Sequence, residues 1–201
     1  MKNKNDEYWE EFYRVNHYID AESPFARFVY KYLQEHQLTT KPLIDVACGN
    51  GRDSKYFARQ GCRVTSIDKH GVLEHPTVDF RKVDMFDFDF TGYELIYLRF
   101  VLHTLTEDET DRLLAKLHDT TRSARIFIET RSILGIGKGD KMETNLKLAV
   151  GGQHYRMLYS YDYLTDKVSK MLRVAYATEG KDLAPFKDEN PYVIRYVLCR
   201  D

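Results

Sequence analysis

Short runs of apolar residues recur along the chain and mark its predicted strands. The run from Leu43 to Ala47 is nearly continuous, which is typical of a strand covered on both faces of a parallel sheet. Residues 78–83 instead alternate between apolar and polar positions, as a half-buried strand does. The pattern predicts strands at 43–47, 62–68, 78–83, 93–97, 124–129, 173–178 and 192–199.

Apolar residues at helical spacing lie before and between these strands. In segment 23–33 they fall on one face, Ser23 can cap the helix and Pro24 suits its first position. Thr106 to Glu109 has the form of a capping box. Helices are therefore predicted at 8–13, 23–33, 54–60, 161–172 and from 106 onward. The alternation of strands and helices indicates an α/β fold with a mostly parallel sheet and helices on both faces.

A turn with two glycines joins the first strand to the next helix. Gly49 and Gly51 permit backbone angles and close approach that a side chain would forbid. Asp53 or Ser54 can cap the following helix, whose free amides then point back over the turn. The second strand ends in Asp68, about twenty residues on, where a ribose-binding carboxylate belongs. Together these features favour a nucleoside cofactor, whereas a tight turn alone is also common in proteins without a ligand.

The glycine pattern argues against a dinucleotide. A pyrophosphate-binding turn has a third glycine, and this chain has Ser54 at that position. The segment Asp45 to Gly51 instead resembles the first motif of class I S-adenosylmethionine-dependent methyltransferases. The resemblance continues in order through Asp68, the segment 83–85 and the segment 93–103, and covers roughly residues 42 to 130. It implies a Rossmann-like seven-stranded sheet with an antiparallel last strand, and S-adenosyl-L-methionine as cofactor.

The resemblance also implies which residues contact the cofactor. Asp68 matches the acid that holds the ribose hydroxyls, Asp84 the acid that meets the adenine amino group, and Met85 the apolar cover of the ring. Arg52 suits the carboxylate of the methionine part, although a solvated arginine is its alternative role. The predicted cofactor-binding residues are Asp45, Ala47, Cys48, Gly49, Asn50, Gly51, Arg52, Asp53, Asp68, Lys69, Asp84, Met85, Arg99 and Phe100.

A narrower resemblance covers nearly the whole chain. The segments 23–26, 127–132, 152–156, 179–184 and 190–195 are similar to small methyltransferases of bacterial capsule and lipopolysaccharide biosynthesis, which modify sugars or phosphorus-containing groups such as methyl phosphoramidate. The chain departs from that pattern at Met157, where a second arginine is common. The resemblance implies a small anionic acceptor.

The chemistry of methyl transfer indicates candidate catalytic residues. A base helps methylation of a hydroxyl without being obligatory, and His103 or His154 can serve because imidazole titrates near neutral pH. Packing or surface exposure is the alternative role of each. An aromatic-rich first helix is predicted to fold over the cofactor as a lid that carries Tyr13, or else to cover the sheet edge. For an amine acceptor, Glu129 or Glu179 would orient the nitrogen.

Basic residues on the later loops are candidates for binding an anionic acceptor. Arginine offers two parallel donors to phosphate oxygens, and several cations flank the same predicted face. The glycine-rich segment 131–141 is either a lid or anion-binding loop, or a plain surface loop. The predicted substrate-binding residues are Glu129, Arg131, Lys138, Tyr155, Arg156, Glu179 and Lys181.

Composition narrows the class of protein. The chain has 201 residues, which suggests one domain, with cap helices at 1–37, a cofactor-binding half at 42–130 and an acceptor-side half at 131–201. Thirty basic against 31 acidic side chains give no support for a nucleic-acid partner. Three scattered cysteines show no metal-ligand spacing, and no metal is expected. Neither an apolar signal core nor a membrane span is visible, so we expect a cytoplasmic protein. We also expect it to be a monomer or a homodimer.

The sequence thus predicts a methyltransferase that acts on O or N of a small phosphorylated or nucleotide-linked precursor of a cell-surface polysaccharide. Three alternatives stay open at this point. One is a methyltransferase for a thiol or selenol, the second is a nucleoside-binding Rossmann protein without catalysis, and the third is a nicotinamide oxidoreductase.

Overall fold

The structure is a computed structural model and describes residues 4–15, 21–120, 123–135, 147–150, 156–187 and 189–200. The helices are α1 (Lys4–Val15), α2 (Pro24–Glu35), α3 (Arg52–Arg59), α4 (Glu107–Thr120) and α5 (Tyr161–Ser169), with short 3₁₀ turns at Leu102–Thr104 and Ile133–Gly135. The strands are β1 (Leu43–Val46), β2 (Val64–Asp68), β3 (Val78–Lys82), β4 (Leu95–Arg99), β5 (Arg125–Arg131), β6 (Lys147–Val150), β7 (Arg156–Tyr159), β8 (Arg173–Gly180) and β9 (Val193–Cys199).

Seven strands form the main sheet in the order β3-β2-β1-β4-β5-β9-β8. Neighbours from β3 to β5 are parallel, and β9 runs antiparallel to both β5 and β8. This confirms the predicted Rossmann-like sheet with its antiparallel last strand. The separate hairpin of β6 and β7 was not predicted. The carboxyl ends of β1, β2, β4 and β5 share one edge of the sheet, which is where such folds bind ligands.

The sheet is covered on both faces, as predicted. On one face, Phe25 and Val29 of α2 and Phe57 of α3 pack into a fully buried cluster. On the other, Leu113 of α4 and Leu164 of α5 are fully buried as well. No helix in the described ranges is long and apolar enough to cross a bilayer.

The observed helix caps match the predicted ones at the starts of two helices and differ at the start of a third. The Ser23 side chain accepts from the Ala26 amide with Pro24 at the first position of α2, and Thr106 and Glu109 bond reciprocally at α4. The predicted capping of α3 by Asp53 or Ser54 is wrong, because the cap residue is Gly51 and makes no side-chain bond. Both side chains instead turn into the protein.

Several predicted boundaries also shift, among them two in the last third of the chain. The helix predicted at 161–172 ends at Ser169, and the strand predicted at 173–178 continues to Gly180. In the connection before β4, Phe88 and Phe90 are buried.

Candidate active site

The turn between β1 and α3 is built from left-handed backbone. Ala47, Gly49 and Gly51 have φ angles of 54°, 58° and 69°. Glycine adopts these angles without strain, whereas Ala47 holds one despite its Cβ. Non-glycine residues in this region cluster at functional sites, so the strain at Ala47 is consistent with the binding role predicted for the turn.

The loop after β2 lies directly against this turn. The buried Asp68 carboxylate accepts from the amides of Gly49 (2.7 Å), His70 (2.7 Å) and Gly71 (2.6 Å). A Cβ on Gly71 would stand 2.1 Å from the carbonyl oxygen of Gly49. Asp68 therefore ends β2 at the predicted place and at the same time ties the two loops together.

Two side chains lie over the glycine turn. The Tyr13 ring is 2.6 Å from the position of a Cβ on Gly49, and the Leu73 side chain is 2.5 Å from that of Gly51. The Asn50 amide also donates to the Tyr13 carbonyl at 3.3 Å. Burial, and secondarily the charge of Asp68, raises the pKa of Tyr13 well above its ordinary value, so this phenol is a donor and not a base at neutral pH.

The polar groups around the turn suit a nucleoside that carries a charged amino-acid tail. Asp84 lies beside the loop after β2, with its carboxylate 3.5 Å from Lys69 Nζ, and Met85 packs on the core next to it. The buried Nε of Arg52 has no hydrogen-bond partner among the described residues, 3.6 Å from Asp53. A carboxylate for an amino group, and an arginine whose Nε has no hydrogen bond for a carboxylate, match the two ends of S-adenosylmethionine. The residues present therefore fit this cofactor once the ends of Tyr13 and Leu73 move aside.

A row of buried charges crosses three adjacent strands below the site. Arg99 of β4, Glu129 of β5 and Arg195 of β9 are in register, and Glu129 accepts from Arg99 Nε at 3.0 Å and from Arg195 Nε at 2.7 Å. Glu129 is 0% exposed. Its predicted contact with the acceptor is therefore not seen, because both carboxylate oxygens are used inside the protein. The row fixes the carboxyl ends of β4 and β5 relative to each other.

Two acids predicted to bind cofactor support the turn from below. Asp53 accepts from the Ser23 amide and hydroxyl and from the Tyr97 hydroxyl, each at 2.7 Å. Asp45 accepts from Ser54 at 2.5 Å. Burial raises the pKa of Asp45 to about 8, and the Ser54 bond only partly opposes the shift. Burial likewise raises the pKa of the Cys48 thiol in the same turn.

Phe100 connects the cofactor side with the acceptor side. Its φ of 59° is unusual for an aromatic residue, and its amide donates to the Glu129 carbonyl at 2.7 Å. The guanidinium carbons of Arg99 and Arg131 lie 4.2 Å and 5.5 Å from the ring centroid. His103 meets the ring edge-on at 5.3 Å and is 4% exposed, which places it at the carboxyl end of β4 as predicted.

A cavity of about 240 Å³ opens beyond the carboxyl end of β5, and Arg131 and Arg156 both line it. Arg131 pairs with Glu189 at 2.8 Å. Burial, and then the charge of Arg131, lowers the pKa of Arg156, with Glu189 acting in the opposite direction. The predicted convergence of these two arginines is therefore seen, and two repelling cations in a half-buried cavity favour an anionic ligand.

The other predicted acceptor residues differ in where they lie relative to this cavity. Glu179 accepts from Ser132, a lining residue of the cavity, at 2.5 Å. Lys181 is exposed and does not line the cavity. Three predicted residues lie outside the described ranges: Lys138, His154 and Tyr155.

Sequence reasoning missed four residues that shape the site: Ser23, Tyr97, Glu189 and Arg195. Ser23 carried a signal only as a helix cap. Arg195, a charged residue inside the apolar run of β9, was the available hint of a buried ion pair. Tyr97 and Glu189 carried no local signal.

The sequence of the glycine turn and the strands around it is similar to that of a known protein family. Residues 43–124 match the family model described as a methyltransferase domain. No curated protein matches the chain in sequence. The match falls within the cofactor-binding half predicted from the sequence and agrees with the predicted enzyme class and cofactor.

Solved structures give the fold over almost the whole chain. The 1,6-didemethyltoxoflavin-N1-methyltransferase of Burkholderia thailandensis, solved with its substrate and S-adenosylhomocysteine, is 17% identical, with a TM-score of 0.74 over 98% of this chain and 88% of that one. The magnesium protoporphyrin IX methyltransferase of Synechocystis PCC 6803, solved with S-adenosylhomocysteine, is 13% identical, with a TM-score of 0.60 over 88% and 81%. A glycopeptide N-methyltransferase solved with S-adenosylmethionine is 12% identical, with a TM-score of 0.60 over 89% and 95%.

Proposed function

We propose that this S-adenosylmethionine-dependent methyltransferase transfers its methyl group to O or N of a small anionic acceptor, a phosphorylated or nucleotide-linked precursor of a bacterial cell-surface polysaccharide. The single observation that carries the anionic acceptor is the cavity that Arg131 and Arg156 line together. The capsule pathway, including a methyl phosphoramidate acceptor, rests on the sequence resemblance of the later segments.

The cofactor supplies a methyl group already activated on a sulfonium sulfur. The protein therefore has to align the acceptor lone pair behind the methyl carbon and exclude water, which contributes on the order of 7–11 kcal/mol in favourable cases. Arg52 and Asp84 would hold the two ends of the cofactor, and Asp68 would hold its ribose. The acceptor's anionic group, bound by Arg131 and Arg156, would direct its nucleophile toward the segment after β4.

His103 is the proposed base for a hydroxyl acceptor. It sits at the carboxyl end of β4 against Phe100, and its Nδ1 is 3.5 Å from Thr130 Oγ1. An imidazole here can take the hydroxyl proton as the O–C bond forms, and an amine acceptor would release its proton after transfer. His154 remains a second candidate from the sequence.

Calorimetry with S-adenosylhomocysteine and with NAD tests the cofactor. We expect binding of S-adenosylhomocysteine and none of NAD, and tight binding of NAD alone would contradict the proposal. Turnover with a panel of nucleotide sugars, sugar phosphates, uncharged sugars and thiols then tests the acceptor.

An Arg156→Ala variant distinguishes binding of the acceptor from binding of the cofactor. We expect it to lose affinity for anionic acceptors by about tenfold or more, because charged hydrogen bonds contribute about 1.5–3 kcal/mol, and to keep its affinity for S-adenosylhomocysteine. Arg59→Ala, a change at the exposed end of α3, is the control. Unchanged acceptor affinity in the Arg156 variant, or a preference for uncharged acceptors, would remove the anionic acceptor from the proposal.

A further inference from the structure

We propose that Phe186 is a positioning residue for the cofactor: its ring holds the guanidinium of Arg52 beside the glycine turn and leaves the N–H groups of that guanidinium available for the cofactor's carboxylate. The inference rests on the proposed function, in which Arg52 meets this carboxylate. It gives a role in cofactor binding to the loop between β8 and β9, which lies in the half of the chain predicted to serve the acceptor.

The charge of Arg52 is poorly compensated by its surroundings. The side chain is only 16% exposed, and Arg52 is the first residue of α3, where the free amides of the helix disfavour a cation. Burial lowers the pKa of Arg52; the charge of Asp53 opposes this shift, and the charge of Arg99 adds to it. An anion that binds beside Arg52 would therefore relieve an unfavourable charge.

The carboxylate next to Arg52 does not accept a hydrogen bond from its Nε. Asp53 Oδ1 is 3.6 Å from that nitrogen, which is too far. The Asp53 carboxylate already accepts from the Ser23 amide, the Ser23 hydroxyl and the Tyr97 hydroxyl. The Nε of Arg52 is buried and has no hydrogen-bond partner among the described residues. A carboxylate supplied by a ligand would satisfy this donor.

The ring of Phe186 can hold Arg52 without using its donors. The guanidinium carbon of Arg52 lies over the ring, 5.1 Å from its centre. An aromatic face attracts a cation through its quadrupole, whereas the N–H groups of a guanidinium lie in its own plane and stay available. Lys187 Nζ is 5.5 Å from the same ring centre, but Lys187 is exposed, so water competes for its charge.

The loop that carries Phe186 is tied down on both sides of the contact. Phe186 and Glu189 exchange two backbone hydrogen bonds, at 2.8 Å and 2.9 Å. The Leu183 carbonyl accepts from Arg195 Nη2 of β9 at 2.5 Å. The ring is therefore in place before a ligand arrives. Holding a binding group in its bound position lowers the ordering cost of association.

A Phe186→Leu variant of the full chain tests the inference by calorimetry, because leucine keeps the apolar bulk and removes the ring. The two probes are S-adenosylhomocysteine and decarboxylated S-adenosylhomocysteine, which lacks only the carboxylate. We expect the variant to bind S-adenosylhomocysteine about three- to tenfold more weakly than the wild type, the range of a largely buried cation–π contact. The decarboxylated probe should bind equally to both forms. Phe186→Tyr keeps the ring and should behave like the wild type.

Two further variants identify the partner of Phe186 and control for the loss of a ring. Arg52→Gln should bind S-adenosylhomocysteine about tenfold more weakly or worse, and the decarboxylated probe as the wild type does. Tyr163→Leu is the matched control, since the Tyr163 ring lies 5.6 Å from Lys167 Nζ on α5. It should leave both affinities unchanged.

The outcomes separate the inference from the function on which it rests. Full affinity of Phe186→Leu for S-adenosylhomocysteine, or an equal loss for both probes, would overturn the role of Phe186 while Arg52→Gln still shows its selective loss. Wild-type binding of both probes by Arg52→Gln would overturn the role of Arg52 as well. Failure of the wild type to bind S-adenosylhomocysteine would contradict the proposed function. A thermal melt and the decarboxylated probe report whether each variant is folded.

Discussion

Tyr13 lies where a side chain on Gly49 would begin: its Cε1 atom is 2.6 Å from the Cβ position of that glycine. The sequence left open whether α1 folds over the cofactor as a lid or covers the sheet edge. The structure places the ring of Tyr13 against the turn itself, over which we propose that the cofactor's nucleoside binds. We infer that Tyr13 competes with the cofactor in this conformation and that covering the bound cofactor requires a second position of α1.

Replacing Tyr13 with alanine should strengthen the binding of S-adenosylhomocysteine. When the binding-competent state is only partly populated, apparent affinity falls by that fraction, and removing the competing ring restores it; we expect a gain of about three- to tenfold. Calorimetric titration measures the change. A loss of affinity would show instead that Tyr13 mainly covers the bound cofactor.

Trp9 provides an independent signal of the same movement. It is the one tryptophan in the sequence, and its ring stacks on Tyr13 at 5.8 Å. We expect its fluorescence to change when S-adenosylhomocysteine is added to the wild type, because α1 must shift. A Tyr13→Phe variant keeps the ring and should behave like the wild type.

A Gly71→Ala substitution should push the loop after β2 away from the glycine turn between β1 and α3. The new Cβ would meet backbone, the carbonyl of Gly49 at 2.1 Å, which cannot rotate away as a side chain can. Such overpacking costs about 1–3 kcal/mol, to be measured as the free energy of unfolding in urea. In Gly180→Ala the nearest atom would be 3.5 Å away, so this control should differ little from the wild type. Equal effects of the two variants would contradict the close approach.

The sheet could be predicted from the sequence because its strands are encoded locally. Each central strand is a short apolar run, and residues such as Ile44 and Ile96 are fully buried as those runs require. The β6–β7 hairpin has strands of only four residues, too short for a periodic signal to stand out. The α3 cap was mispredicted because Asp53 has partners on α2 and β4 that local reasoning cannot see.

The candidate site also has features that the sequence encodes locally and others that depend on distant residues. Asp68 ends β2, where sequence spacing put it, and Asp84 follows β3, where the family resemblance put it. The burial of Glu129 could not be predicted, because its second partner, Arg195, is 66 residues away in the chain. The contact of Tyr13 with Gly49 likewise depends on how α1 docks, which periodicity does not specify.

Glu129→Gln should strongly destabilise the protein. The neutral amide would remove the charge that pairs with Arg195 and leave Arg99 with Asp53, 4.0 Å from its Nε, and breaking a buried pair in this way costs about 3–5 kcal/mol. Urea unfolding measures the loss. The exposed pair of Asp166 and Lys170 is the control, and Asp166→Asn should cost only about 0–1 kcal/mol. Similar losses in both variants would show that the buried row is not a structural clamp.

Asp45 should make stability fall as the pH rises toward neutrality. Its pKa of about 8 in the folded protein lies above the ordinary 3.8, so the folded state holds the proton more tightly. The resulting stabilisation is complete below about pH 4 and is lost as the pH rises through 8. Relative to Asp45→Asn, the wild type should lose up to about 1.4 kcal/mol per pH unit between pH 5 and 7.5. Urea unfolding at several pH values measures this, and Asp79→Asn, at an exposed pair, should follow the wild type.

His103→Gln tests the proposed base. If His103 takes the proton of a hydroxyl acceptor, the variant should lose about 10²- to 10⁴-fold in kcat and bind S-adenosylhomocysteine normally. The acid limb of the kcat/KM profile, where an imidazole base becomes protonated, should also disappear. His118→Gln, at an exposed histidine of α4, should keep both rate and profile. A small change in kcat with the acid limb intact would assign His103 to packing against Phe100 and leave alignment of the acceptor as the main source of catalysis.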